Sequence, residues 1–144
     1  MTEIEELVEG APDIYPFRAE TSGISVEVCP VYDENTGEDQ GEHAWVYFVR
    51  IENHSKTKVT LKSRYWRIID ANGMLEEVHG AGVVGETPTI APGESFEYDS
   101  FIMLETPSGF MEGFYDLTAE DGQRFQVDIP AFPLDVPGTM HVLN

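Results

Sequence analysis

Six consecutive residues, Gly80-Ala81-Gly82-Val83-Val84-Gly85, match the spacing G-x-G-x-x-G. Lys62, Arg64 and Arg67 precede them and His79 adjoins them. Bare backbone at this spacing can do two kinds of chemistry. In a dinucleotide-binding fold the glycines lie between a strand and a helix whose N-terminus receives a pyrophosphate. Without a helix, successive N–H groups can form a concave nest for an anion. The first use fails on context: Pro88 and Pro92 interrupt the residues after Gly85, so no helix can follow. Asp99 and Ser100 lie near the spacing of a ribose-binding acid, but no βαβ unit is present to place them. Two readings stay open. Structurally, the glycines supply positive φ or close backbone approach at a sheet edge. Functionally, Gly80, Gly82 and Gly85 form a phosphate or pyrophosphate site supplemented by Lys62, Arg64, Arg67 and His79, whose affinity falls as salt rises.

Other constellations offer less. No Ser/His/Asp or Cys/His grouping has a recognisable local context, and no catalytic residue is assigned. Cys29, beside Pro30 in a strand-like run, reads as a packing thiol. His43, His54, His79 and His141 are scattered without H-x-H or H-x-x-x-H spacing, so no metal ligand is assigned. Residues 33–42 have a superficial calcium-loop look through Asp33, Asn35 and Asp39. Gly37 comes one residue early, however, and Ala44 stands where the closing glutamate belongs. A solvated hairpin loop is the better reading.

The elements that must position these residues are strands. Ile24, Val26 and Val28 alternate, as do Trp45, Tyr47, Val49 and Ile51. Both faces of this second run are largely apolar, which predicts a central strand with its outer face partly covered. In the run of residues 59–69 the apolar phase changes from odd (Val59, Leu61) to even (Trp66, Ile68). A period of two cannot reverse without an extra residue, so the sequence predicts a β-bulge near residues 63–65 that re-aims Arg64 and Tyr65. Asn72-Gly73 and Asp121-Gly122 predict tight hairpins, and Ala91-Pro92-Gly93 a turn. Phe96 and Tyr98, then residues 110–118, then Phe125, Val127 and Ile129 supply further strands. About seven short strands without a convincing helix predict an all-β fold, an immunoglobulin or fibronectin type III-like antiparallel β-sandwich spanning residues 21–144. Residues 1–20 read as an acidic N-terminal extension, with Ile4, Leu7 and Val8 at helical spacing. The tail after Pro130 is expected to be extended and irregular.

The chain of 144 residues is long enough for one domain, and its apolar stretches fall short of the ~18 residues that span a membrane. The start, Met-Thr-Glu-Ile-Glu-Glu, lacks the charge and apolar run of a secretory signal, and a single cysteine allows no internal disulfide, so the expected location is cytoplasmic. Net charge is −19. Six basic residues between 50 and 67 are opposed by Glu52 alone, a local balance of +5, while Arg18 and Arg124 face the other 26 acids. Such a surface repels nucleic acid and anionic membranes. The partners that fit are a protein or a small phosphorylated ligand, with a homodimer also open; no cofactor is called for.

From Ile24 to His141 the chain resembles the ApaG family, or DUF525 domain. The matching residues run in order through Arg64-Tyr65-Trp66, Val78-His79-Gly80-Ala81-Gly82-Val83-Val84-Gly85, Ile90-Ala91-Pro92-Gly93-Glu94 and Glu105-Thr106-Pro107-Ser108-Gly109. They continue with Met111-Glu112-Gly113, Tyr115, Asp128-Ile129-Pro130-Ala131-Phe132 and Val136-Pro137-Gly138-Thr139-Met140-His141. The resemblance implies a fibronectin type III-like sandwich in a small bacterial cytosolic protein. It also implies an association with cobalt resistance and magnesium efflux, with no established reaction. Eukaryotic relatives carry the domain in F-box and polymerase-interacting proteins, as a protein-binding module. The family's glycine motif implies nucleotide or pyrophosphate binding at Gly80, Gly82 and Gly85. The whole implies a non-enzymatic binding protein, with phosphate or pyrophosphate-nucleotide binding as the alternative.

Overall fold

The computed structural model describes residues 10–34 and 41–137. Nine strands follow one another: β1 (Phe17–Thr21), β2 (Ile24–Asp33), β3 (His43–Asn53), β4 (Val59–Asp70), β5 (Leu75–Ala81), β6 (Thr89–Ile90), β7 (Ser95–Leu104), β8 (Ser108–Ala119) and β9 (Arg124–Asp135). They form two antiparallel sheets, one in the order β1-β2-β3-β7 and the other β5-β4-β8-β9, with β6 also paired to β4. The architecture is the antiparallel sandwich of immunoglobulin or fibronectin type III kind. Among the described residues no helix is long and apolar enough to cross a membrane.

Alternation decides which side chains enter the space between the sheets. Ile24, Val26 and Val28 of β2 and Trp45, Tyr47, Val49 and Ile51 of β3 meet Leu61, Trp66 and Ile68 of β4 and Tyr115 and Leu117 of β8 in one buried cluster. Fully burying an aliphatic side chain of this size contributes about 1.5–3 kcal/mol. The indole of Trp45 donates to the carbonyl of Asp135 at 2.9 Å, tying the central strand of one sheet to the edge of the other. Beyond the core, β3 turns Val46 and Phe48 outward, partly covered, as its two apolar phases require.

The phase change in β4 is present. Its register against β8 shifts between Leu61 and Ser63, so Lys62 is the extra residue, slightly ahead of the position read from the pattern. From there Arg64 shares the inward phase of Trp66 and Ile68, whereas Tyr65 and Arg67 face out.

Two expectations need correction, and the hairpin at Asn72-Gly73, which forms as expected, has a different turn type. Phe17, Arg18, Ala19 and Glu20 belong to β1 and pair with Val28, Glu27, Val26 and Ser25, so the boundary at residue 20 falls inside a strand. Period-two alternation over only five residues is too short to stand out. The same approach buries Tyr15, whose ring carries the Arg50 guanidinium 4.5 Å from its centroid. Residues 131–135 are not irregular: β9 runs to Asp135 on the edge of its sheet, where missing N–H groups are tolerated. A register shift opposite Met111 and Gly113 moves the inward phase from Val127 and Ile129 to Phe132 and Leu134. At the Asn72-Gly73 hairpin only Gly73 has positive φ, with Gly73 N donating to Asp70 O, so the connection is a type I turn closed by a left-handed glycine. The helical spacing at Ile4, Leu7 and Val8, residues 35–40 of the acidic loop, and Gly138, Thr139, Met140 and His141 lie outside the described residues.

Candidate functional site

The bulge at Lys62 and the glycine loop are built as one piece. The Lys62 carbonyl accepts the Gly82 N–H at 2.8 Å. Arg64, turned inward two residues later, donates from Nη1 to the carbonyls of Ala81 at 3.2 Å and Gly82 at 2.9 Å. Its guanidinium crosses directly over Gly80. A Cβ there would sit 2.5–2.9 Å from the guanidinium atoms, so absence of a side chain is what admits the arginine. Gly82 has φ +62°, and a Cβ on it would lie 2.0 Å from the Glu86 carbonyl oxygen. Val83 and Glu86 exchange both backbone hydrogen bonds at 2.8 Å around Val84 (φ 41°) and Gly85 (φ 81°). Positive φ at both central positions is a type I′ turn, and a β-branched residue holds one of them against its preference. The loop is a miniature hairpin.

This construction uses up donors. The N–H groups of Gly82, Val83 and Glu86 go to backbone carbonyls. The cationic group available beside the loop is Arg64, which has no carboxylate within salt-bridge distance among the described residues.

Arg64 overlooks a cleft of about 270 Å³ at the rim of the sandwich, lined also by Tyr47, Trp66, Val83, Tyr98 and Ser100. Three tyrosines from three strands bring polar tips to this region. The hydroxyls of Tyr98 and Tyr115 are hydrogen-bonded to each other at 2.5 Å in the buried interior, and the Tyr47 hydroxyl pairs with Ser100. Burial pushes all three phenols up from their ordinary value, opposed by the Arg64 charge, so at neutral pH they are uncharged. A guanidinium and neutral hydroxyls suit recognition of a small anion or carboxylate.

The remaining predicted site residues lie elsewhere. Arg67 is on the outer face of the second sheet, with Nη1 2.5 Å from Glu112 Oε2. His79 is exposed on that face, its ring 4.7 Å from Tyr65, which stacks on Phe114 at 4.9 Å and donates to Glu77 at 2.6 Å. That bond to a carboxylate pushes the Tyr65 phenol up. The Lys62 side chain borders a separate hollow with Asp116 and Arg124. Of the seven, Gly80, Gly82, Gly85 and Arg64 come together; Arg67, His79 and the Lys62 ammonium do not join them. Nor is the basic segment one patch: Arg50 lies on the first sheet, within 2.8 Å of Glu27. Sequence reasoning missed Tyr47, Tyr98, Ser100 and Tyr115. For the tyrosines the only signal was a phenol at inward positions of strands far apart in the chain; Ser100 was noted only for its spacing from the glycines.

Elsewhere, His43 meets the Tyr32 hydroxyl at 3.3 Å and His54 meets Ser25 Oγ at 3.2 Å. Burial pushes the Cys29 thiol up, which disfavours the thiolate. Among the described residues no three His, Cys, Asp or Glu side chains are grouped to hold a metal ion.

Comparison with known proteins adds sequence and shape. The family model of the ApaG domain, DUF525, matches residues 33–119. Protein ApaG of Azorhizobium caulinodans is 51% identical over 129 residues, 89% of this chain and 99% of that protein. Protein ApaG of Xanthobacter autotrophicus is 50% identical over the same length and coverage. A structural genomics target solved by X-ray crystallography superposes with a TM-score of 0.80 at 39% identity, covering 88% of this chain and 96% of its own. The crystal structure of the putative ApaA protein from Bordetella pertussis gives 0.77 at 41%, covering 81% and 95%.

Proposed function

The chain belongs to the ApaG family, and on that premise we propose that it is a non-enzymatic binding protein acting in the cytoplasm through a protein or small-anion partner. Its association with cobalt resistance and magnesium efflux would then be indirect, through that partner. The observation that carries the reading is Arg64, an arginine turned into a cleft, bonded to neutral carbonyls and left with its full charge. Among the described residues, those that line the cleft with it supply hydroxyls and no carboxylate to neutralise it. Protonated phenols and a guanidinium bind and orient; they do not abstract a proton.

The alternative, a phosphate or pyrophosphate-nucleotide binder using the loop of residues 80–85, has a narrower basis. Much of the loop's N–H inventory is committed, and a cleft of about 270 Å³ is small beside the roughly 300–1,000 Å³ of ordinary ligand pockets. An inorganic anion or a single carboxylate fits that scale better than a nucleotide.

Titration with inorganic pyrophosphate, followed by amide shifts, tests the reading. Saturable shifts at residues 80–86 and at Tyr98 are expected, weakening as salt rises. Arg64→Met should reduce the affinity at least tenfold. Gly80→Ala should do the same by displacing the guanidinium while leaving the loop's φ values alone. Arg67→Met should change it less than twofold. Salt-insensitive shifts, or equal losses in the Arg64 and Arg67 variants, would refute the assignment.

A further inference from the structure

A sandwich of this kind has four sheet edges, and three are defended. β1 is five residues long and carries Arg18 and Glu20. β5 presents Glu76, Glu77 and His79 and runs into the kinked glycine loop. β9 contains Pro130 and Pro133 and is interrupted by its register shift. Short length, charge, proline and bulges are the devices by which natural sheets prevent a further strand from adding.

The edge at β7 has few of them. Its ten residues pair with β3 without a register break from Glu52↔Ser95 to His43↔Leu104, and they include no proline, lysine or arginine. Every second residue of such a strand turns its N–H and C=O away from its neighbour. Among the described residues no strand lies on that side. The outer face beside the edge is apolar in cross-strand rows, Val31–Val46–Phe101 and Ala44–Met103. Phe101 is 63% exposed. A hollow of about 470 Å³ sits there, lined by Asp33, Ala44, Val46, Asp99, Ser100 and Phe101.

The charge carried by β7 itself has one sign. No lysine or arginine occurs between Ile68 and Gln123, whereas Glu94, Glu97, Asp99 and Glu105 lie on or beside β7. Glu97 is served from the neighbouring strand by Arg50 at 4.0 Å; among the described residues no ion pair is formed by Asp99. A second copy, itself of net charge −19, would set the same acidic edge against this one. We propose that β7 is a docking edge for an extended segment of a partner protein in which apolar residues alternate with lysine or arginine. The segment would add as a fifth strand to the first sheet. Main-chain hydrogen bonds would supply affinity; lysine or arginine side chains on the outer face would lay their stems along Phe101 and reach Glu97 and Asp99, while the alternate apolar residues would turn inward beside Ile102. The edge adjoins the Arg64 cleft, with which it shares Ser100, but the proposal rests on the main chain and outer face of β7 and stands whether or not that cleft takes an anion.

Amide hydrogen exchange on the full chain tests it, with a nine-residue peptide alternating isoleucine and lysine as probe. At high dilution and without peptide, alternate amides of β7 should exchange rapidly. With peptide they should become protected at least tenfold. Protection should vanish with glutamate in place of lysine, and with alternate backbone nitrogens methylated. Phe101→Lys, and separately Asp99→Lys in case the first variant folds poorly, should each weaken binding at least tenfold. The proposal is overturned if the methylated peptide binds equally well, or if β7 amides are unaffected. It is also overturned if they are already protected in the dilute free protein, which would mean that the chain covers its own edge. Protection that rises with protein concentration alone would replace the partner with a second copy.

Discussion

Arg64 and Arg67 stand three residues apart on β4, on opposite faces of one sheet. Outside, Arg67 meets Glu112 directly across the β4–β8 ladder, with both side chains about two-fifths exposed. Inside, at the rim, Arg64 meets the carbonyls of Ala81 and Gly82. Each guanidinium is hydrogen-bonded, yet only the outer one is neutralised. A carbonyl satisfies a donor without cancelling its charge; a carboxylate does both. The inner arginine is therefore held in place and still able to attract an anion. The residue that creates the inner position is Lys62, because the bulge resets the phase of every side chain after it.

If the inner region is a rigid holder for Arg64, its largest sensitivity is at Gly82. Gly82→Ala places a methyl 2.0 Å from the Glu86 carbonyl oxygen, at a φ of +62°, so the turn must open. A loss of about 3 kcal/mol or more is expected in urea unfolding, from strain and backbone displacement together. Gly85→Ala is the control: its φ is +81° but its Cβ would meet nothing within 4 Å. There only the left-handed penalty applies, about 1–2 kcal/mol. Equal losses would show that the loop is free to rearrange, and would remove the contrast with the outer face.

The next effect concerns the phenols beneath Arg64. Tyr98→Phe leaves the Tyr115 hydroxyl buried without its partner and should cost about 1–3 kcal/mol. Replacing both by phenylalanine should cost less than the sum of the single changes, which a double-mutant cycle would measure. Both groups titrate far above the ordinary 10.0 in the folded state because burial disfavours the phenolate. Above pH 10 the unfolded chain loses these protons while the folded one keeps them. The contribution of the pair is thus complete below pH 10 and declines as pH rises further. The double phenylalanine variant should show a shallower alkaline loss of stability than the parent. Unchanged alkaline behaviour would contradict the burial of these hydroxyls.

The two regions were unequally visible in the sequence. The sandwich could be read because alternation is local, and even the bulge could be read, from Val59 and Leu61 against Trp66 and Ile68. That phase change implied that Arg64 and Tyr65 are re-aimed, but not which of them turns inward. Nor did it imply the company that Arg64 keeps. Tyr47, Tyr98 and Ser100 reach the cleft through pairings between strands distant in the chain, and an inward tyrosine reads as core. The glycine spacing invited a reading in terms of open N–H groups, which the Val83–Glu86 pairing contradicts for much of the loop. Charge counting grouped Arg50 with Arg64 and Arg67 because it ignores faces. The strand β1 went unread because five residues beside a proline carry too little periodicity.

The smallest expected effect lies on the outer face, and it is the one most able to sharpen the contrast. Arg67 and Glu112 are exposed enough for water and salt to screen them, so the pair should contribute no more than about 1 kcal/mol. Arg67→Met should lower stability by that amount or less at low ionic strength, and the difference should shrink as salt approaches molar concentrations. Glu112→Gln should behave the same way, because either change removes the same attraction. Arg64→Met should respond differently. Its lost bonds run to neutral carbonyls at a partly covered rim, so its effect on stability should depend far less on salt, although anion binding at the cleft should depend on salt strongly. Stability measured for the three variants across a salt series separates these behaviours. Parallel salt dependence in Arg64→Met and Arg67→Met would mean that both guanidiniums serve the same screened electrostatics, and that the inward turn of β4 confers nothing special on Arg64.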